Sequence, residues 1–342
     1  MATAALAPAC SDDPTDSTGA GGGTTSTGTG GTTSTGTGGA STTSSTGGGG
    51  SASTTSAGGA TGSGGAAEGG AGGQGGGGGP PTIRRPFLVG RAMRSSESAT
   101  RSDWARTSNA RGDALDDATR AMLAKVWRAD ALEEHASVAA FARWTLLMMS
   151  VGAPPEMLRD AQRASIDEVE HARACFALAK RYGGEDVGPA ALDLTGCLAP
   201  LSLVDVAVLT AEEGCVGETL GVALAHEQLR VCEDAEVKQL LRRLIVDEER
   251  HARLAWSFVA WAIVQGGASV RNAVVAGIAR ACRETLEAPI RSYDGVDLGA
   301  WHAHGRVTCT EAREVAREAI DAVIKPALAL LSRNATPIEA QS

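Results

Sequence analysis

"DEVEHAR" at residues 167–173 and "DEERHAR" at 247–253 share five of their seven letters across a chain that otherwise shows little copying. Each phrase contains Glu-x-x-His, as Glu168 with His171 and as Glu248 with His251. A helix advances about 100° per residue, so side chains three apart are neighbours and a carboxylate and an imidazole can face one point. The two phrases therefore predict two helices, each presenting the same pair of groups.

Working outward, the buried faces can be traced in steps of three and four. Helices are expected near 115–151, 155–182, 201–231 and 234–265, with shorter ones near 269–288 and 309–333. Pro154-Pro155, Gly183-Gly184, Pro189, Pro200, Gly266-Gly267 and Pro289 are the breaks. The first seam reads Trp127, Ala131, Glu134, Val138, Phe141, and the second Ala161, Ser165, Glu168, His171, Cys175, Leu178, Tyr182. The third reads Val206, Leu209, Glu213, Val216, Leu220, Leu224, and the fourth Leu241, Leu244, Glu248, His251, Ala255, Phe258. Polar residues interrupt each seam at one level: a lone Glu, a Glu-x-x-His, a lone Glu, a Glu-x-x-His. Glu134 precedes Glu168 by 34 residues and Glu213 precedes Glu248 by 35, the mark of a duplicated helical hairpin. The expected fold is all-α, a four-helix bundle at 115–266 with a helical appendage at 267–335.

Four carboxylates meeting inside such a bundle repel one another, and each costs several kcal/mol to desolvate unpaired. Two divalent ions would cancel four negative charges, and two neutral imidazoles would complete the donor set without adding any. Carboxylate with imidazole suits iron, manganese or zinc. One Glu-x-x-His alone is weak, because 22 Glu and 6 His in 342 residues place one by chance about 0.4 times. Two copies in matched contexts are much stronger.

Over roughly 115–265 the chain resembles the ferritin-like, rubrerythrin-type di-iron carboxylate proteins. "DEERH" matches the D-E-x-R-H form of their last ligand helix, and "EHASVAAF" places Glu134 seven residues before an aromatic, as in rubrerythrin-like first helices. The resemblance implies Glu134, Glu168, His171, Glu213, Glu248 and His251 as ligands of two iron ions, with Glu168 and Glu248 bridging. It also implies that Asp167 and Asp247 each accept a hydrogen bond from the ring of the opposite half's His. Glu218 lies about 140° round from Glu213 on an ideal helix and is a candidate for an extra or substitute ligand. The implied chemistry is reaction with dioxygen or peroxide, supplied by an electron donor that the sequence does not identify. No C-x-x-C pair is present, which removes a rubredoxin-type relay, and two Tyr, Tyr182 and Tyr293, argue against a tyrosyl radical. The alternatives are a non-catalytic metal-binding or storage protein and a metal-free structural envelope domain. His135 reads as a hydrogen-bonded structural residue, His226 as exposed, and "WHAHG" at 301–305 as a packed loop.

The rest of the chain bounds location and partners. Residues 14–81 are almost wholly Gly, Ser, Thr and Ala, expected to form a disordered linker. "MATAALAPAC" resembles the end of a bacterial lipoprotein signal, so 1–13 and Cys10 suggest a lipid-anchored envelope protein, joined to the membrane only through that anchor. The other cysteines, Cys175, Cys197, Cys215, Cys232, Cys282 and Cys309, would allow up to three disulfides in an oxidising envelope. A net charge of -9 argues against a nucleic-acid partner. The densest basic stretch, Arg84, Arg85, Arg91, Arg94, Arg101, Arg106 and Arg111 within 82–114, reads as an extended, solvated arm on an acidic body. Residues 336–342 are expected to be a disordered tail.

Overall fold

Asp116, Ser202 and Asp234 each begin a long helical run by accepting from a free N–H group of its first turn. The computed structural model describes residues 85–105, 115–290 and 295–333. Asp116 accepts the Thr119 N–H at the start of α1 (Asp117–Ser150). Pro155 opens α2 (Pro155–Gly183), which ends on Gly184 at φ 77°. A capping box between Ser202 and Asp205 starts α3 (Leu203–Thr210), which runs through a π-helical stretch, Ala211–Glu218, into α4 (Thr219–Val231). Asp234 caps α5 (Ala235–Glu287), whose 53 residues bend at Gly267. There φ is 61° and ψ -142°, a conformation that only glycine adopts at low cost. The break expected at Gly266-Gly267 is present: Gly267 is non-helical and separates two helical stretches of this run. Short helices α6 (Leu298–Ala303), α7 (Cys309–Ala319) and α8 (Lys325–Arg333) follow, the last two joined through a π-helical turn, Ile320–Ile324.

The described chain is mostly helical, with four strands of two or three residues that the sequence reading did not contain. β1 (Leu88–Val89) and β2 (Ala92–Met93) form a hairpin whose two central residues, Gly90 and Arg91, have φ of 56° and 68°. Two positive φ values in a two-residue loop match the right-handed twist of paired strands. β3 (Ser98–Thr100) pairs antiparallel with β4 (Val187–Pro189), tying the arm to the α2–α3 connection. The arm is thus docked, and the expectation of a solvated basic stretch is corrected for Arg85. Its side chain is fully buried, with its guanidinium carbon 4.4 Å from the Phe141 ring centre and 4.3 Å from that of Trp144. Phe87 is buried beside it, under the guanidinium of Arg143 at 4.9 Å.

α1 packs along α2, while α5 packs against α3, the π-helical stretch and α4. Of the three apolar clusters among the described residues, two are large. One holds Phe141, Trp144, Val206, Cys215, Leu254 and Phe258, and the other Trp127, Ala131, Cys175, Leu241 and Leu244. The interrupted level of all four seams lies between them. No disulfide forms among the described residues. The lipoprotein-like segment 1–13 with Cys10, the linker 14–81, the tail 336–342, Tyr293, and Arg84, Arg106 and Arg111 of the arm lie outside the described residues.

Candidate metal centre

Between the two large apolar clusters, carboxylates and imidazoles meet in two overlapping groups. One is Glu134, Glu168, His171 and Glu248; the other is Glu168, Glu218, Glu248 and His251. In each group one ligand atom per residue lies within 4.8 Å of all the others, and every member is buried. Glu168 and Glu248 belong to both. Their oxygens divide between the halves: Glu168 Oε2 is 3.5 Å from His171 Nδ1 and Oε1 is 3.2 Å from His251 Nδ1. Glu248 Oε1 is 3.6 Å from His171 Nδ1 and Oε2 is 3.2 Å from His251 Nδ1. Groups so arranged could hold a metal ion.

The outer nitrogens of both rings are held across the halves. His171 Nε2 lies 3.0 Å from Asp247 Oδ2, and His251 Nε2 lies 3.2 Å from Asp167 Oδ2. A carboxylate accepting from Nε2–H leaves Nδ1 as the inward-facing nitrogen, which fixes the tautomer a metal ligand needs. Arg250 joins both aspartates, at 2.5 Å from Asp167 and 3.0 Å from Asp247. Its position three residues after Asp247 was the available signal for this contact.

Glu213, an expected ligand, lies outside both donor groups. It is buried, but its Oε1 accepts from Arg143 Nη2 at 2.6 Å and from the Leu88 N–H at 3.3 Å, while Arg85 Nε stands 3.8 Å from Oε2. Glu213 belongs to neither donor group, and Glu218 takes the corresponding place. The cause is the π-helical stretch. Its hydrogen bonds run from i to i+5 rather than i+4, so the inward face slips, and the residue five after Glu213 reaches the polar level. Spacing of 34 or 35 residues had matched Glu213 to Glu134 on α-helical geometry alone. Asp167, Asp247, Glu134, Glu168, His171, Glu248 and His251 do converge.

The remaining histidines lie apart from the donors. His135 Nδ1 contacts Ser96 Oγ at 3.2 Å and its ring meets Trp104 edge-on; His226 is exposed near Glu249. "WHAHG" is mostly α6 and its cap rather than a loop, with Trp301 and His304 buried and His304 Nδ1 2.8 Å from the Tyr182 hydroxyl. A cavity of about 500 Å³ lined by Leu88, Arg91, Arg143, Val208, Glu212 and Arg280 contains none of the donors. Arg143 stands between it and Glu213.

Burial and pairing set the charge states of the metal-free cluster. Burial alone would raise the Glu168 carboxyl, but His171 and His251 hold it at about 2. Burial would lower His171, yet Asp247, Glu168 and Glu248 hold it at about 9. His251 is likewise held well above the usual imidazole range by Asp167, Glu168 and Glu248 against burial. Glu218 is pushed well above the carboxylate range, first by burial and then by Glu248. Without metal, burial and pairing thus shift both imidazoles and Glu218 towards holding a proton, at the positions where cations would compensate the carboxylates.

Comparison with family models, with curated proteins and with solved structures finds no match to this chain in any of the three.

Proposed function

We propose that the chain is a ferritin-like, rubrerythrin-type protein whose α1, α2, α3–α4 and the first part of α5 form a four-helix bundle around a dinuclear carboxylate centre. The observation that carries this reading is the pair of mirrored donor groups sharing Glu168 and Glu248. The buried atoms fit such a centre. His171 Nδ1, Glu168 Oε2 and Glu218 Oε1 lie in the cluster without hydrogen bonds, a costly arrangement unless a cation takes them. Glu134, His171, Glu168 and Glu248 would hold one ion, and Glu218, His251, Glu168 and Glu248 the other. Iron fits the donor set, with manganese or zinc chemically compatible.

Two iron ions in this place would supply the electrons for reduction of dioxygen or peroxide, making the chain a ferroxidase-like oxidoreductase. The protein's part is to orient and to exclude water. Asp247 and Asp167 hold the imidazoles by Nε2, and Phe141, 5.0 Å from His251, closes the layer with Trp144 and Phe258. These rings keep the local dielectric low, which strengthens every charge interaction inside. The pattern ending at Cys10 supports an envelope lipoprotein, and Cys10→Ser would then abolish incorporation of labelled fatty acid.

The test of activity is direct. The full chain, loaded anaerobically with ferrous iron, is mixed with oxygen or hydrogen peroxide and oxidant consumption is followed. Consumption above that of a Glu168→Ala control is expected. Tight binding of iron with no consumption of either oxidant would instead mark a metal store.

A further inference from the structure

Arg85 carries a buried charge whose hydrogen-bonding capacity is unfilled. Its side chain has no solvent exposure, and none of Nε, Nη1 and Nη2 makes a hydrogen bond. The nearest carboxylate oxygen, Glu213 Oε2 at 3.8 Å, is itself without one, because Arg143 and Leu88 take the other oxygen. The guanidinium is held in place regardless. Phe141 and Trp144 pack against it, and Ser137 Oγ donates to the Arg85 carbonyl at 2.8 Å. Gly214 lets the backbone pass close to Nη1, since a Cβ there would stand 3.2 Å from that nitrogen and 2.6 Å from the Ala255 Cβ. Phe141 also meets the edge of His251, and Glu218 and Glu168 lie within electrostatic reach of Arg85. A fixed fork of five N–H donors thus lies within electrostatic reach of the Glu218 side of the centre, with Phe141 in contact with both Arg85 and His251.

Charge balance points the same way. Glu134, Glu168, Glu213, Glu218 and Glu248 are all buried, as are Arg85 and Arg143. Five carboxylates against two guanidiniums leave three negative charges. With two divalent ions and neutral imidazoles, these seven groups would carry one positive charge; Asp247, also buried, is paired with Arg250 at 3.0 Å.

Resting on the dinuclear reading, we propose that Arg85 forms, with the metal centre, a binding site for a small monoanion, of which the hydroperoxide ion is one. The guanidinium supplies both the compensating charge and the donors, so it selects an anion with accepting atoms over neutral molecules of the same size.

The probe is azide, titrated into the iron-loaded, oxidised full chain and followed by its charge-transfer absorption, with metal content measured on each sample beforehand. Azide is expected to bind the wild-type chain. Arg85→Met should keep its metal and weaken azide binding by about tenfold or more, the scale of a charged hydrogen bond. Arg85→Lys, which retains the cation between the rings, should recover part of the loss and keeps the question open to test where the Met variant does not fold. Metal-replete Met and Lys variants that bind azide within twofold of wild type would overturn the proposal, as would a metal-replete wild type that binds no azide. Both results leave the dinuclear reading intact. A chain that takes up no metal fails that reading first, by the metal count.

Discussion

Glu218 and Glu213 have the same side chain, the same burial and neighbouring positions, yet their partners give them opposite roles. Glu218 Oε1 is buried in the donor cluster without a hydrogen bond, whereas Glu213 Oε1 is occupied by Arg143 and Leu88. Glu218→Gln is therefore expected to lose at least one bound metal per chain while folding normally, as read by metal analysis and circular dichroism. Glu213→Gln should keep the metal count but lower stability by roughly 3 kcal/mol, because it strands Arg143 and Arg85 without their buried counter-charge. Equal metal loss in both variants would return Glu213 to the ligand set. Asp247 sits one step further out, accepting from the outer nitrogen of His171. Asp247→Asn offers the same shape without the charge, and removal of such an outer carboxylate costs about 10- to 100-fold in metal affinity. Chelator competition reads that change, and unaltered affinity would mean that the tautomer is fixed by other contacts.

At the scale of elements, the π-helical stretch decides which glutamate faces inward, and Gly214 is what lets that stretch lie against α5. A Cβ there would stand 2.6 Å from the Ala255 Cβ, with both atoms on packed helices that cannot easily give. Gly214→Ala is expected to cost about 1–3 kcal/mol by overpacking, and thermal unfolding measures it. An unchanged melting temperature would show that the two helices separate freely at this point. The same stretch marks the limit of what the sequence disclosed. Long α-helices were legible because apolar residues recur every three or four positions and Pro and Gly stand at the breaks. The cross-paired Asp167 and Asp247 came from resemblance to a known ligand helix, and both contacts form. One extra residue in a turn leaves no such mark in "EEGCVGE", since either register keeps apolar residues inside. Strands of two or three residues are shorter than any alternation can register, so the docking of the arm, and with it Arg85 and the Leu88 contact to Glu213, could not be read.

For the molecule as a whole, the buried charges tie folding to pH and to metal. In the metal-free chain His171 is held at about 9, above its unfolded value of about 6.5. Stability from that pairing is fully present below about pH 6.5 and is lost as pH rises towards 9. Glu168 and Asp247, held at about 2, act in the opposite sense, with stability present above about pH 4 and lost as pH falls towards 2. The chelated protein should accordingly melt highest between about pH 4.5 and 6.5; a melting temperature that rises steadily from pH 6.5 to 9 would contradict the His171 pairing. Metal should displace the protons that the cluster holds and reduce this dependence. The most direct test counts the ions. Anaerobic titration of the full chain with ferrous iron or cobalt, followed by elemental analysis after gel filtration, should give two ions per chain for wild type and fewer than one for Glu168→Ala. Less than one ion per wild-type chain, or the same uptake by both proteins, would contradict a dinuclear centre at these residues.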